Sequence, residues 1–261
     1  MVRSKAIIGS RPGLLVCLFL LFSPFSSSID PLLFPQTRER VVFEENFEHG
    51  LNQWRVEDRG KHHLIELKNG QLVISNRTET PGVFVWNVVE LPLNYRLEFD
   101  FSPLGRGNEK EGFFLLFLGA KGIDNRTIFE DSLWSDAELE DFRKYTRGEI
   151  RCYHIGYLRG ETGLCNLRKN PGLKLVRSNK VPILREGETY RIVVQKRNAR
   201  ITMRISGAGI DSGQELFQDW TDPAGDVPVL NGGHFGFRQI AYDKGVVGVY
   251  DNVRLTDLGS H

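Results

Sequence analysis

The segment Arg96-Leu97-Glu98-Phe99-Asp100-Phe101 alternates strictly between charged and apolar residues. Successive side chains of a β-strand point to opposite faces of a sheet, so this pattern predicts a strand whose three apolar residues face a core. The next apolar segment, Gly112–Gly119, is apolar on both faces and predicts a central strand. These two segments favour a core built from β-sheet.

Short strand patterns continue on both sides of these segments. Asn69-Gly70 predicts a tight hairpin turn between two of them. The 27 glycines, 17 phenylalanines and two methionines also favour sheet over helix. Further strands are expected at Val41–Phe47, His63–Lys68, Gln71–Ser75, Gly82–Val89, Tyr190–Arg197, Arg200–Ser206, Glu215–Asp219, His234–Gln239 and Val246–Leu255. Regularly spaced short strands with turn signals predict an all-β fold, a two-sheet antiparallel jelly-roll sandwich.

One helix is expected to interrupt the strands. Ser135-Asp136-Ala137-Glu138 has the form of a capping box, and Gly148 follows the last basic turn. We expect this helix to lie over an edge or mouth of the sandwich and to bring Tyr145 towards the basic residues that follow it.

The start of the chain has the features of an export signal. Residues 1–28 combine a positively charged beginning, an apolar run too short to span a bilayer, and small residues near a cleavage point. Residues 29–40 are interpreted as an exposed lead-in and residues 41–258 as a single domain. The expected location is therefore secreted or periplasmic, with no attachment to a membrane after cleavage.

Basic residues are concentrated between Arg143 and Arg185, a segment called the basic stretch below. It contains eleven Lys and Arg against two Glu. Because the leader removes three of the 34 basic residues and none of the 33 acidic ones, the rest of the chain is slightly acidic overall. One basic region on an acidic protein fits an anionic ligand at one site and argues against nucleic acid as a partner. A merely solvated basic face is the alternative.

Two cysteines, Cys152 and Cys165, remain after removal of the leader. In an oxidising compartment they either pair across two strands or stay free, and the sequence leaves both open. Neither Cys-x-x-Cys nor His-x-x-x-His spacing occurs, so no metal site and no cofactor are expected.

Five motifs in order carry a resemblance to a known family: Asp100-Phe101-Ser102-Pro103, Tyr145–Glu149, His154-x-x-Tyr157-x-Arg159, Cys165-Asn166-Leu167-Arg168-Lys169 and Gly236-Phe237-Arg238-Gln239. Over about residues 84–255 the chain is similar to the YesU-type family. The resemblance implies a jelly roll of the concanavalin A-like lectin/glucanase type and a role in bacterial polysaccharide use, in a rhamnogalacturonan gene context. The export signal and an extra loop around residues 105–111 depart from the family pattern.

The basic stretch supplies the two candidate catalytic residues, His154 and Tyr157. In a regular strand His154 shares a face with Cys152 and Gly156, whose small size leaves a hollow for a ligand. Tyr157 falls on the opposite face unless Gly156 carries a bulge. A lone histidine is also often structural.

The candidate substrate-binding residues are basic, amide and aromatic: Arg159, Asn166, Arg168, Lys169, Arg238, Gln239, Trp86 and Tyr145. An arginine fork fits a carboxylate or sulfate in bidentate fashion, and an amide can complete the recognition of a sugar acid. Four of them have a structural alternative. Arg168 can pin a loop, Arg238 and Gln239 can bond the final strand, and Trp86 can belong to the core.

These residues favour action on, or binding of, an acidic polysaccharide that contains uronate or sulfate. In β-elimination, cationic groups neutralise the sugar carboxylate while His154 or Tyr157 exchanges the proton. A non-catalytic, lectin-like glycan-binding module needs the same groups without a tuned base. A glycoside hydrolase needs two carboxylates across the scissile bond, for which Glu98 and Asp100 are the candidates. Whether a bond is broken, which polysaccharide is used and the oligomeric state stay open.

Overall fold

The computed structural model describes residues 39–57, 63–76, 80–104, 112–130, 143–146, 148–159, 164–180, 184–207, 210, 216–241 and 245–259. The expected leader, most of the lead-in, the extra loop at 105–111 and most of the expected helix lie outside these ranges. Residues 37–261 form one compact unit.

The described strands form two sheets, and every observed strand pair is antiparallel. Sheet A contains β1 (Arg40–Glu45), β3 (His63–Lys68), β4 (Gln71–Asn76), β6 (Tyr95–Pro103), β11 (Tyr190–Arg197), β12 (Arg200–Gly207), β13 (Leu216–Thr221) and β15 (Val246–Asp257). Sheet B contains β2 (Trp54–Glu57), β5 (Thr80–Asn87), β7 (Gly112–Gly122), β8 (Ile150–Arg159), β9 (Leu164–Asn170), β10 (Lys174–Lys180) and β14 (His234–Ala241).

The strand order is β13-β12-β11-β6-β15-β4-β3 in sheet A, where β1 also pairs with β15, and β10-β9-β8-β7-β14-β5-β2 in sheet B. The only helix within the described ranges is α1, Arg143–Thr146. The predicted all-β jelly-roll sandwich is confirmed, and α1 lies within the region where the helix was expected.

The main core lies between the sheets and follows the alternation read from the sequence. Buried and half-buried residues alternate along the whole of β6, so Leu97, Phe99 and Phe101 face sheet B. From sheet B, β7 contributes Phe114 and β14 contributes Phe237, which lies 5.0 Å from Phe99 between ring centroids. Edge-to-face and stacked rings thus fill the sandwich.

A second apolar cluster lies on the opposite side of sheet B. We call the side turned away from sheet A the outer face of sheet B. There Phe84 and Trp86 of β5 pack with Phe117 of β7, and Tyr145 of α1 covers them. This helix therefore closes one part of the outer face.

Lys169 lies between the sheets and holds a connection in place. Its Nζ is 2.6 Å from Oδ2 of Asp222 and 2.5 Å from the carbonyl oxygen of Val227. The hydroxyl of Tyr153 bonds the same carboxylate and accepts from the N–H of Leu230 at 3.0 Å. A buried charge is tolerated only when it is paired and hydrogen-bonded, and this one anchors the segment between β13 and β14.

Candidate functional site

Strand register brings His154, Asn166, Arg168 and Arg238 to the outer face of sheet B. His154 of β8 lies directly opposite Arg168 of β9, and Gly156 lies opposite Asn166 in the next outward-facing pair. Leu115 of β7 lies opposite both Gly156 and Arg238. Directly paired residues in a sheet project to the same side, so these side chains form two adjacent rows.

His154 is a buried, neutral imidazole. The side-chain amide of Asn170 donates to its Nδ1 at 2.9 Å, while Oδ1 of Asn170 accepts from the N–H of Leu173 at 3.3 Å. That second bond orients the amide, so the network assigns the ring proton to Nε2. Burial, helped by the positive charges of Arg168 and Arg238, lowers the pKa of His154 to about 3. At neutral pH the ring is therefore a hydrogen-bond donor at Nε2 and a weak base.

Two guanidinium groups flank this imidazole. Arg168 is half-buried and donates from Nη1 to the carbonyl oxygen of Leu173 at 2.9 Å, so it does pin the turn that follows β9. Arg238 is 2% exposed, and its guanidinium carbon lies 4.8 Å from the centroid of Phe84. The positive charges of both groups contribute to the lowered pKa of His154.

Asn166 provides an unsatisfied acceptor at the same place. It is 8% exposed, and its buried Oδ1 has no hydrogen-bond partner among the described residues. A Cβ added to the neighbouring Gly156 would meet only the side chain of Leu115, at 3.3 Å, within 4 Å in the described structure. The space beside Gly156 is therefore narrow. A buried polar atom without a partner is costly, so Oδ1 of Asn166 favours a group that donates a hydrogen bond.

Trp86 and Tyr145 lie on the outer face of sheet B but are enclosed there. Trp86 is fully buried and stacks on Phe84 at 5.3 Å with an interplanar angle of 7°. Its Nε1 donates to Oε2 of Glu57 at 3.2 Å, and the Tyr145 hydroxyl and the Lys144 ammonium bind the same carboxylate. In this arrangement the two aromatic rings form a wall beside the site, not an open stacking platform.

The closeness of Trp86 to β14 predicts the effect of a methyl group at Gly236. A Cβ at Gly236 would lie 2.5 Å from the Trp86 ring. Gly236→Ala is therefore expected to lower the free energy of unfolding by about 1–3 kcal/mol through overpacking. Gly156→Ala on the same face should cost less, because its Cβ meets a single flexible leucine. Urea unfolding of both variants measures the difference, and equal losses would contradict the argument.

Three of the sequence-derived candidates lie on the other side of sheet B. Tyr157 is fully buried between the sheets, with its hydroxyl 3.2 Å from that of Tyr250, and Gln239 bonds the same hydroxyl at 3.3 Å. Lys169 is bound in the Asp222 network. Strand alternation explains all three positions, because each is adjacent in sequence to an outward-facing residue.

Strand β8 does contain a bulge, but it lies at Tyr157 and not at Gly156, and the Tyr157 side chain still faces the core. Phe114 pairs with Leu158 and Leu115 pairs with Gly156, so Tyr157 is the extra residue of β8. The structure therefore does not bring Tyr157 to His154. The side chain of Arg159 lies outside the described residues.

Cys152 and Cys165 do not form a disulfide. Both thiols are free, and the two side chains lie on opposite faces of sheet B, Cys152 in the outer cluster and Cys165 in the main core. Burial raises the pKa of each thiol to about 12. Neither is a thiolate nucleophile at neutral pH.

Glu57, which binds Trp86, Tyr145 and Lys144 beside the site, was not predicted from the sequence. Nothing in Trp54–Glu57 sets this carboxylate apart from a solvent-facing residue, and only the pairing of Glu57 with Phe84 across β2 and β5 reveals its position. Within the described ranges, no group of three or more His, Cys, Asp or Glu side chains is arranged to hold a metal ion. No helix among these residues is long and apolar enough to cross a membrane.

A family profile described as "Domain of unknown function (DUF1961)" matches residues 41–255. The chain belongs to this family. The match spans both sheets and every residue of the candidate site, and it contains the region of the YesU-type resemblance. The YesU name and its gene context stay predictions. No curated protein matches the sequence.

Solved structures share the fold. A protein of unknown function with a galectin-like fold from Bacillus subtilis is 24% identical, with a TM-score of 0.68 over 82% of this chain and 94% of that one. Arcelin-5, a lectin-like defence protein from Phaseolus vulgaris, is 11% identical, with a TM-score of 0.56 over 84% and 97%. The winged bean acidic lectin, solved with methyl-α-D-galactose, is 9% identical, with a TM-score of 0.54 over 84% and 98%.

Proposed function

We propose that this protein binds an acidic glycan on the outer face of sheet B, at His154, Asn166, Arg168 and Arg238. The observation that carries the proposal is the buried Oδ1 of Asn166, which lacks a hydrogen-bond partner among the described residues and lies in a region of two arginines. A ligand with both a negative charge and a hydroxyl donor satisfies this arrangement.

Each group has a distinct task in that binding. The half-buried guanidinium of Arg168 attracts a carboxylate or sulfate, and its planar fork matches the oxygens of that group. The buried charge of Arg238 adds to this attraction. Oδ1 of Asn166 accepts from a sugar hydroxyl, and the Nε2–H of His154 donates to a sugar oxygen.

The fold is compatible with this function. The winged bean lectin was solved with a galactose derivative, so a sandwich of this architecture holds a sugar in that protein. Function resides in the site and not in the fold, so glycan binding by this chain depends on its own four side chains. The secreted or periplasmic location proposed from the leader is where polysaccharides are encountered.

Binding has more support than catalysis among the described residues. β-Elimination needs a base of suitable pKa, but burial and two arginines lower the pKa of His154 to about 3, and Tyr157 faces the main core. For hydrolysis, Glu98 and Asp100 lie in sheet A and are paired with arginines, Asp100 with Arg191 at 3.1 Å. The geometry therefore favours a lectin-like module over a lyase, and a lyase over a hydrolase.

The test is a binding titration of the purified protein with uronate-containing, sulfated and neutral polysaccharides. We expect salt-sensitive binding of an acidic member, and Arg168→Gln should weaken it roughly 10- to 100-fold, as is typical for a lost hydrogen bond to a charged group. Arg254→Gln is the matched control, since Arg254 pairs with Glu44 at 3.2 Å in sheet A.

Unchanged affinity in Arg168→Gln, or equal losses in both variants, would contradict the proposed site. Ultraviolet absorbance recorded on the same mixtures detects an unsaturated uronate. A rise with wild type that Arg168→Gln abolishes would replace binding alone by β-elimination.

A further inference from the structure

We infer that the acidic-glycan site continues along β9 and β10 to a second cationic subsite at Lys180, so that its ligand is an anionic oligosaccharide and not a single sugar. This inference rests on the proposed function and names the length and charge pattern of the ligand.

The register of β10 places three exposed residues beside Arg168, Asn166 and Leu164 of β9. Leu175 lies opposite Arg168, Ser178 opposite Asn166, and Lys180 opposite Leu164. Because directly paired residues share a side of the sheet, all three belong to the outer face of sheet B. The register shifts by one residue after Leu175. Because of this shift, Leu175 before it and Ser178 and Lys180 after it all lie on the outer face.

This part of the outer face is open, unlike the part beneath α1. Leu175 is 50% exposed, and Ser178 and Lys180 are exposed as well. Leu175 offers an apolar surface next to the guanidinium of Arg168, which suits the C–H face of a pyranose ring. Ser178 adds a hydroxyl beside Asn166 that can donate or accept.

The two exposed lysines at the ends of β10 differ in their partners. Lys174 lies opposite Lys169 on the inner side and pairs with Asp226 at 3.3 Å. Lys180 forms no ion pair with any residue whose position the structure describes. Its ammonium is therefore available to a negative charge on a bound ligand.

The separation of the two cationic positions sets the minimum ligand. Arg168 and Leu164, the partner of Lys180, are four residues apart on β9, which is about 13 Å along a strand. This span exceeds one pyranose ring. A ligand that reaches both positions must therefore be a chain of several sugars that carries an acidic group near each end of the contacted segment.

The experiment compares wild type, Lys180→Gln and Lys174→Gln in titrations with galacturonic acid and its linear dimer, trimer, tetramer and hexamer. We expect wild-type affinity to rise with length. Lys180→Gln should bind the monomer and dimer as wild type does and lose roughly two- to fivefold on the longer oligomers, the size typical of one exposed ion pair. Lys174→Gln should bind every oligomer as wild type does.

Two results would overturn the inference while leaving the proposed function intact: Lys180→Gln binds all lengths as wild type does, or Lys174→Gln loses as much as Lys180→Gln on the longer oligomers. Wild-type protein that binds no member of the series, or an Arg168→Gln variant that binds as wild type does, would overturn the proposed function itself.

Discussion

Replacing Lys169 with methionine is expected to lower the free energy of unfolding by about 3–5 kcal/mol. The side chain of Lys169 is 2% exposed, and its removal leaves the carboxylate of Asp222 buried with its positive partner gone. The carbonyl oxygens of Ala224 and Val227 lose their bonds to the same ammonium. Urea unfolding followed by tryptophan fluorescence measures the loss.

Lys174→Met is the matched control for this prediction. Its ion pair with Asp226 is exposed on both sides, so the change should cost at most about 1 kcal/mol. Glycan binding by the folded fraction of Lys169→Met should equal that of wild type. A loss below about 1 kcal/mol in Lys169→Met would contradict a structural role for this residue.

The second large effect is a loss of stability in acid that depends on His154. The pKa of His154 is about 3 in the folded protein and 6.5 for an ordinary histidine. Between these values the unfolded chain binds a proton that the folded protein does not, so the free energy of unfolding falls as the pH falls. The slope reaches about 1.4 kcal/mol per pH unit for one group.

His154→Gln removes this titration and keeps a polar side chain. The carboxylates titrate in both proteins, so the difference in unfolding free energy between wild type and variant isolates the histidine. We expect this difference to shift in favour of the variant as the pH falls from 6.5 towards 3. Parallel stability curves for the two proteins over that interval would show that His154 is not held neutral.

Local patterns predicted the fold well because the relevant signals are local. The alternation of residues 96–101 gave the buried face of β6, and Asn69-Gly70 gave the β3–β4 turn, where both residues have positive φ angles of 54° and 68°. Alternation along β8 places His154 and Tyr157 on opposite faces of sheet B, and alternation along β9 does the same for Arg168 and Lys169. Their side of the sheet was therefore predictable from sequence spacing alone.

What the sequence left undecided depends on partners far along the chain. Lys169 looked like a ligand for an anion because its charge belongs to a basic stretch, yet its anion is Asp222, 53 residues away. The sequence around Trp86 fitted either a core residue or a platform on which a sugar stacks. Its hydrogen bond to Glu57 and its position opposite Gly236 show that the ring is enclosed. No local pattern carries such pairings.

The central claim is tested most directly by mapping backbone amide shifts of the isotopically labelled protein during titration with oligogalacturonate. The account predicts that the largest changes fall on β8, β9 and β10, at His154, Gly156, Asn166 and Arg168 and onward to Lys180, with sheet A nearly unchanged. Changes centred on the arginine and carboxylate rows of sheet A, around Asp100 and Arg191, would contradict it.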